Sequence, residues 1–195
     1  MAAGGGRGQT GGRSRGRVSR HLIIIAGAES TGKSALASAL ADRLGVPWVD
    51  EYAREYCARH GNALGADQLL HIAQQQDRLI RAALANAAMV IADTDAVVTA
   101  VWAGLSGGPV DGWYANGPLA ADLYLVLAND LPWEDDGVRI QRDPAAREGF
   151  RSALIAELDR RGLPWVPVAG VGDVRLANAL ALLAPRVDDS GAPAC

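Results

Sequence analysis

Short apolar runs alternate with longer amphipathic segments along this chain. The apolar runs contain four or five residues each and occupy positions 22–26, 46–49, 89–92, 123–127 and 165–168. Runs of this length that are rich in Val, Ile and Leu are typical of buried β-strands. Strands that alternate with helices form a parallel sheet covered on both faces. The pattern therefore predicts an α/β fold, a three-layer sandwich around a five-stranded parallel sheet.

The segments between the runs carry apolar residues at helical spacing. They predict helices over 32–44, 52–59, 66–87, 96–105, 144–161 and 173–183. The fifth helix has a clear start, because Asp143 is a suitable N-cap and Pro144 fits the first helical position. Positions 106–118 are rich in Gly and Pro and predict a loop. In a fold of this class, ligands bind beyond the carboxyl ends of the strands.

A phosphate-binding pattern, G-x-x-x-x-G-K-S, follows the first apolar run at positions 27–34. Its glycines let the backbone wrap a polyphosphate, and the N–H groups at the start of the next helix attract the anion. The lysine of this pattern contacts the β- and γ-phosphates, and the serine hydroxyl holds Mg²⁺. The expected contacts to ATP and Mg²⁺ are Gly27, Glu29, Ser30, Thr31, Gly32, Lys33, Ser34 and Ala35.

Two charged residues of this pattern are informative. Lys33 is the only lysine among 19 basic residues, and a chain that otherwise uses arginine retains lysine where a compact point charge is needed. Glu29 would repel a phosphate if it pointed inward. We therefore expect Glu29 to face an arginine or the acceptor substrate.

Acidic residues follow the second and third predicted strands. Asp93 ends the third strand and is the expected partner of Mg²⁺ together with Ser34. Asp95 either orients the hydroxyls of the acceptor or caps the next helix. After the second strand, Glu51 or Asp50 is a candidate to take the proton of the acceptor hydroxyl, with a solvated turn as the alternative.

Positions 131–143 are charged and are interrupted by Pro132 and Gly137. This composition predicts a short lid, with a plain surface loop as the alternative. Arginines on a lid can stabilise the charge of the transferred phosphoryl group and help to exclude water on closure. Arg139 is the first candidate for this catalytic contact, and Arg142 is the next, as a contact to ATP.

The two ends of the chain differ in composition from the rest. The first 20 residues contain seven Gly, five Arg and no acidic residue. We expect a disordered arm at 1–20, a folded domain at 21–187 and a flexible tail at 188–195. Without the arm, 14 basic and 22 acidic residues remain, a net charge of −8. An acidic domain argues against nucleic acid as a specific partner, and the arm is either a weak nucleic-acid contact or a solvated tail.

The remaining composition excludes several classes of protein. No run of 18 apolar residues occurs, so we expect no membrane span. Cys57 and Cys195 lie far apart, which suits a reduced, cytoplasmic protein. The three histidines show no metal-ligand spacing, so we expect no metal besides Mg²⁺ bound with the nucleotide. An oligomer is compatible with the sequence.

Four motifs occur along the chain in this order: GAESTGKS at 27–34, EYARE at 51–55, DTD at 93–95 and WEDDGVR at 133–139. Together they resemble the ribosylnicotinamide kinase domain of the NadR family of P-loop proteins. The resemblance spans roughly residues 21–185. It implies a P-loop kinase fold and the ATP-dependent phosphorylation of nicotinamide riboside at its 5′-hydroxyl, which gives nicotinamide mononucleotide.

The expected catalytic residues are then Lys33, Glu51, Asp93 and Arg139. The expected contacts to the acceptor are Glu51, Tyr52, Arg54, Asp95, Trp113, Trp133 and Asp136. Bifunctional family members carry a nucleotidyltransferase domain before the kinase. Since only about 20 residues precede the loop in this sequence, we expect neither adenylyl transfer nor repression.

Two other functions share part of this pattern. A different P-loop kinase, acting on a nucleoside or a nucleoside monophosphate, would have the same loop and lid. A nucleotide-dependent switch of the GTPase type would need an N-K-x-D guanine-reading motif. That motif is missing, because Lys33 is the only lysine.

Overall fold

The computed structural model describes residues 20–107, 109–134 and 142–184. All but residue 20 of the predicted arm lies outside these ranges, as does the predicted tail. The predicted lid residues Asp136 and Arg139 lie outside them too, and all of these stay predictions. Within them, the strands are β1 (His21–Ala26), β2 (Trp48–Val49), β3 (Met89–Asp93), β4 (Leu123–Leu127) and β5 (Trp165–Val168). The helices are α1 (Lys33–Leu44), α2 (Tyr52–His60), α3 (Ala66–Asn86), α4 (Ala96–Leu105), α5 (Trp113–Asn116), α6 (Pro144–Arg161) and α7 (Asp173–Leu183).

The five strands form one parallel sheet in the order β2-β3-β1-β4-β5. This confirms the predicted fold class. Two details differ from the sequence prediction. Strand β2 contains two residues rather than four, since Pro47 has no N–H to donate to a ladder. The predicted loop at 106–118 contains one helical turn, α5.

Side chains alternate across the sheet and build a core on each face. From β1, Leu22, Ile24 and Ala26 join a cluster with residues of α3, α4 and α6. Ile23 and Ile25 join the opposite cluster, which α1 and α7 cover. These two layers hold β1 in the centre of the sheet, so the loop that leaves its carboxyl end starts from a rigid point. None of the helices in the described ranges is both long and apolar enough to span a membrane.

Candidate active site

The phosphate-binding loop connects β1 to α1, as the sequence predicts. Gly27 and Gly32 both have positive φ angles, 150° and 79°, which glycine adopts without a steric penalty. A Cβ atom on Gly27 would lie 3.2 Å from Thr31 Oγ1 and 3.3 Å from Leu127 Cβ, so the packing also requires glycine there. Ser30 has a positive φ of 56°. The first turn of α1 therefore begins behind a tightly wound loop and presents free N–H groups to an anion.

Side chains satisfy the carbonyl groups of the loop. Ala28 O accepts hydrogen bonds from Thr31 Oγ1 at 2.8 Å and from Lys33 Nζ at 2.9 Å. The Arg147 guanidinium, on α6, donates to Glu29 O at 3.1 Å and to Ser30 O at 3.5 Å. With their carbonyl groups bound to side chains in this way, these peptide units are held in one orientation.

A second buried arginine continues this support. Arg175, on α7, donates to Thr31 O and to Asp130 Oδ1. Arg147 also donates to Leu131 O, at 3.2 Å and 3.3 Å. The two guanidinium groups thus join the phosphate loop to residues 130–131, where the predicted lid begins. Both arginines are at most 5% exposed, and no sequence motif had pointed to either of them.

Ser34 and Asp93 meet beside the loop. Ser34 Oγ donates to Asp93 Oδ2 at 2.5 Å. Asp93 is fully buried, and its Oδ1 has no hydrogen-bond partner among the described residues. Burial, followed by the nearby charge of Glu51, raises the pKa of Asp93 to about 6. A hydroxyl and an unsatisfied buried carboxylate oxygen beside a phosphate loop are ligands that suit Mg²⁺. The residues present therefore fit the predicted metal.

Glu51 lies across the site from the loop. It is the N-cap residue of α2, and its Oε2 accepts a hydrogen bond from Arg54 Nε at 3.1 Å. Both residues line a cavity together with Lys33 and Glu29. Asp50, the alternative to Glu51, is exposed, and its Oδ1 accepts the Glu51 N–H. The geometry therefore favours Glu51 over Asp50 as the acidic group that faces the acceptor.

The cavity extends from the loop between α2, α3 and α4. Its inner wall is largely apolar, and Trp102 is the one aromatic residue on it within the described ranges. Trp102 packs on Phe150 with a ring centroid distance of 4.5 Å. The residues on this wall are Ala53, Cys57, Asn62, Leu64, Leu69, Ile72, Thr94, Val98, Thr99, Trp102 and Ser106. Burial, with Glu51 as the second cause, raises the pKa of the Cys57 thiol, so the thiol contributes to this wall in its neutral form.

Asp95 takes the second of its two possible roles, that of a helix cap. Its Oδ1 accepts from the N–H groups of Val97 and Val98, and its Oδ2 accepts from the Tyr124 hydroxyl at 2.5 Å. Both carboxylate oxygens therefore have partners within the protein, and the residue is only 3% exposed. Burial raises the pKa of Asp95 to about 6. The predicted contact of Asp95 with the acceptor is not supported by this placement.

The structure also places two predicted aromatic contacts away from the cavity wall. Trp113 packs beside Tyr114 and the small cluster between α3 and α4. Tyr52 faces α3, where its ring is 6.1 Å from that of His71. Trp102 is instead the aromatic residue that lines the cavity. Trp102 was not predicted at the site, because it lies in an apolar helical pattern that predicts a core position.

The described residues at the two ends of the predicted lid contact both the loop and each other. Ser30 Oγ donates to Glu134 O at 3.3 Å and accepts from Glu134 N at 3.2 Å. The Arg142 guanidinium carbon lies 5.7 Å from the centre of the Trp133 ring, a cation–π distance. Ser30 thus joins the loop to residue 134 of the predicted lid, and Arg142 lies beside Trp133 in the same predicted segment.

Comparisons with known proteins point to the same fold. A family profile, AAA_28, described as an AAA domain, matches residues 22–175. The trifunctional NAD biosynthesis/regulator protein NadR of Salmonella typhimurium (strain LT2) is 26% identical over 183 residues, which are 87% of this chain and 43% of the relative. The crystal structure of a NadR protein in complex with NR gives a TM-score of 0.73 at 26% identity, over 84% of this chain and 50% of that chain.

A thymidylate kinase from Ehrlichia chaffeensis is only 14% identical but gives a TM-score of 0.60 over 84% of this chain and 99% of that chain. This likeness confirms the P-loop kinase type of fold. The chain spans half or less of the length of the NadR proteins that it matches. The resemblance to NadR that the four motifs indicated is confirmed. Since the profile covers nearly all of the folded residues, the chain belongs to the AAA_28 family of AAA domains.

Proposed function

We propose that this chain is a nucleoside kinase that transfers the γ-phosphoryl group of ATP to the 5′-hydroxyl of nicotinamide riboside. The observation that supports this proposal is the cavity in which the two halves of such a reaction meet. Lys33 and Gly27 of the phosphate loop line one end of this cavity, and Glu51 and Arg54 line the same space. The similarity to a NadR protein crystallised with NR supports the choice of acceptor.

The donor side would bind the triphosphate. The N–H groups of the loop and the Lys33 ammonium bind phosphate oxygens, and the buried arginines behind the loop keep those N–H groups in place. Ser34 and Asp93 would hold Mg²⁺, which neutralises phosphate charge when it is bound. Much of phosphoryl-transfer catalysis is positioning and charge stabilisation, and a loop fixed in advance needs little reorganisation.

The acceptor side would orient one hydroxyl group. Glu51 accepts the proton of the 5′-hydroxyl while the hydroxyl oxygen forms a bond to the γ-phosphorus and the bond to the leaving ADP oxygen breaks. Arg54 holds the Glu51 carboxylate through a 3.1 Å hydrogen bond. Because Glu51 and Lys33 line the same cavity, a ribose bound there lies between the proton acceptor and the phosphate donor.

The cavity also suits the charge of the proposed acceptor. The nicotinamide ring of the riboside is a pyridinium cation. Glu29 and Glu51 place carboxylates on the cavity wall, and Trp102 adds an aromatic ring. Cations are attracted to the faces of aromatic rings as well as to carboxylates. A cationic base therefore gains electrostatic energy here that a neutral nucleobase does not.

Turnover with a panel of acceptors tests the proposal. ATP consumption is measured with nicotinamide riboside, adenosine, cytidine, thymidine and thymidine monophosphate, and the products are identified by mass. We expect the highest kcat/KM with nicotinamide riboside and a product that carries one added phosphate. Much faster turnover of another nucleoside, or of the monophosphate, would assign the chain to a different class of P-loop kinase.

A further inference from the structure

Gln76, on α3, binds the two backbone segments that carry the proposed acidic residues of the site. Its side chain is 1% exposed. Its Oε1 accepts the Tyr52 N–H at 2.8 Å, and its Nε2 donates to Asp50 O at 3.1 Å. The same Nε2 lies 3.4 Å from Asp93 O and 3.4 Å from Thr94 O. One buried amide thus joins the residues on either side of Glu51 to Asp93 and its neighbour.

These hydrogen bonds lie just beyond the point where β2 and β3 stop pairing. Strands β2 and β3 pair through only two residue pairs, Trp48 with Ile91 and Val49 with Ala92. No ladder pair of these strands extends to Asp50 or Asp93. Beyond the last pair, the Gln76 amide takes the place of backbone hydrogen bonds between the segment that follows β2 and the end of β3. Glu51 follows Asp50 directly, so this connection joins the backbone beside Glu51 to that of Asp93.

The connection also reaches a strained residue. Thr94 has a φ of 68°, which is a rare conformation for a β-branched residue. Its N–H donates to Ile25 O at 3.1 Å, and its carbonyl faces Gln76 Nε2. Thr94 lines the acceptor cavity and lies between Asp93 and Asp95. Unusual backbone conformations persist where the surroundings determine them, and they are concentrated at functional sites.

We propose that Gln76 is a positioning residue that fixes the distance between the proton-accepting Glu51 and the metal-side Asp93. This inference rests on the proposed kinase function for the roles of those two acids. Gln76 itself does not line the cavity, and its polar atoms bind backbone groups only, so it acts through the segments that it holds.

Replacement of Gln76 by methionine tests the role directly. Gln76→Met has a similar length but makes none of the four hydrogen bonds. The control is Gln75→Met, on the same helix one residue earlier and half-buried. We expect kcat per folded molecule to fall about 100-fold for Gln76→Met, which is the effect of a misplacement of about 1 Å at a reacting group. At saturating Mg²⁺ the KM for ATP should stay within about twofold, and Gln75→Met should leave both constants unchanged.

If Gln76 only stabilised the fold, the result would be different. Gln76→Met would then lower the melting temperature while its kcat, corrected for the folded fraction, matched that of Gln75→Met. That outcome would overturn the proposal.

A pair of backbone variants decides the question if Gln76→Met does not fold. Tyr52 is the first residue of α2, where proline is tolerated, and the preceding Glu51 is extended, as a residue before proline must be. Tyr52→Pro removes the N–H that Gln76 accepts, and Tyr52→Ala removes the same side chain but keeps the N–H. The proposal requires a kcat at least tenfold lower for Tyr52→Pro than for Tyr52→Ala. Equal values would overturn it.

Nucleotide binding separates this inference from the proposed function. If the wild-type chain phosphorylates no nucleoside, the proposed function fails, and calorimetric titration with ATP at increasing Mg²⁺ gives the answer for Gln76. Residues that support metal ligands from behind typically affect metal affinity by about 10- to 100-fold. We expect Gln76→Met to need at least tenfold more Mg²⁺ than Gln75→Met for half-maximal ATP binding. An unchanged Mg²⁺ requirement would refute the inference.

Discussion

The donor and acceptor sides of the site are built in different ways. On the donor side, the phosphate loop is a backbone structure whose carbonyl groups accept hydrogen bonds from the buried side chains of Thr31, Arg147 and Arg175. Lys33, which lines the cavity, also donates to the loop carbonyl Ala28 O. On the acceptor side, the cavity is a surface of side chains from three helices. A backbone cradle recognises phosphate in the same way in any kinase of this fold, whereas a side-chain wall can change with each substitution. Under the proposed function, we therefore expect activity to depend on the first and substrate choice to depend on the second.

The largest effect is expected at Lys33. Lys33→Ala removes the single ammonium of the donor side, and we expect turnover to fall by about 10³-fold or more because charge on the transferred phosphoryl group is left uncompensated. The control is Arg43→Ala, an exposed cation in the last turn of the same helix. Both variants should melt within a few degrees of the wild type. Retention of turnover in Lys33→Ala, measured by ATP consumption, would rule out a kinase that uses this loop.

A change on the acceptor side should leave the donor side intact. Glu51→Gln keeps the size of the side chain but removes its capacity to take a proton. We expect a loss in kcat of about 10²- to 10³-fold, in the range of general-base catalysis, with the Kd for ATP unchanged. Steady-state kinetics and calorimetry give the two quantities. If ATP binding weakens as much as turnover, Glu51 belongs to the donor side and the comparison is wrong.

Arg147, which binds the loop carbonyl groups from α6, is expected to affect the donor side alone. Arg147→Met leaves Glu29 O and Ser30 O without their donors, and a buried unsatisfied carbonyl costs about 1–3 kcal/mol. We expect the melting temperature to fall by several degrees and the Kd for ATP to rise about tenfold, with the KM for the acceptor nearly constant. Arg151→Met, one turn further along α6, is the control. An equal effect in both variants would mean that Arg147 has no special connection to the loop.

The two sides also differ in how far the sequence predicted them. The loop, Ser34 and Asp93 were predicted correctly as neighbours, because one local motif and one strand end determine their positions. Arg147 and Arg175 were not found, since a buried arginine that binds carbonyls 117 or 144 residues away has no local signature. The sheet and most helices were predicted because periodicity is local. The predicted roles of Arg139 and Asp136 in the lid stay predictions.

The aromatic residues of the acceptor side were also beyond what local sequence patterns predict. Trp113 was expected at the acceptor, but one helical turn places it against Tyr114. Trp102 occurs in a helix whose pattern is apolar throughout, and the packing of α4 against α3 determines which of its faces borders the cavity. That choice depends on tertiary contacts, which periodicity does not contain.

The smallest effect, and the one that most sharpens the comparison, is expected at Trp102. Trp102→Leu removes the aromatic ring from the cavity but keeps an apolar group against Phe150. At a site that is not fully buried, a cation–π contact contributes about 0.5–1 kcal/mol, so we expect the KM for nicotinamide riboside to rise about 2- to 5-fold. A neutral nucleoside gains little from the ring, and its KM should change less. The KM for ATP should stay constant, because Trp102 is absent from the donor side.

Trp165→Phe is the control for general effects of tryptophan replacement, since Trp165 lies on β5 and binds Asp159 rather than the cavity. The decisive quantity is the factor by which Trp102→Leu raises the KM relative to the wild type, determined for each acceptor. A larger factor for the cationic acceptor than for the neutral one shows that the ring recognises charge, and that the side-chain wall determines acceptor choice. An equal rise for both acceptors would reduce Trp102 to a packing residue, and the carboxylates Glu29 and Glu51 would then be left to select the cation.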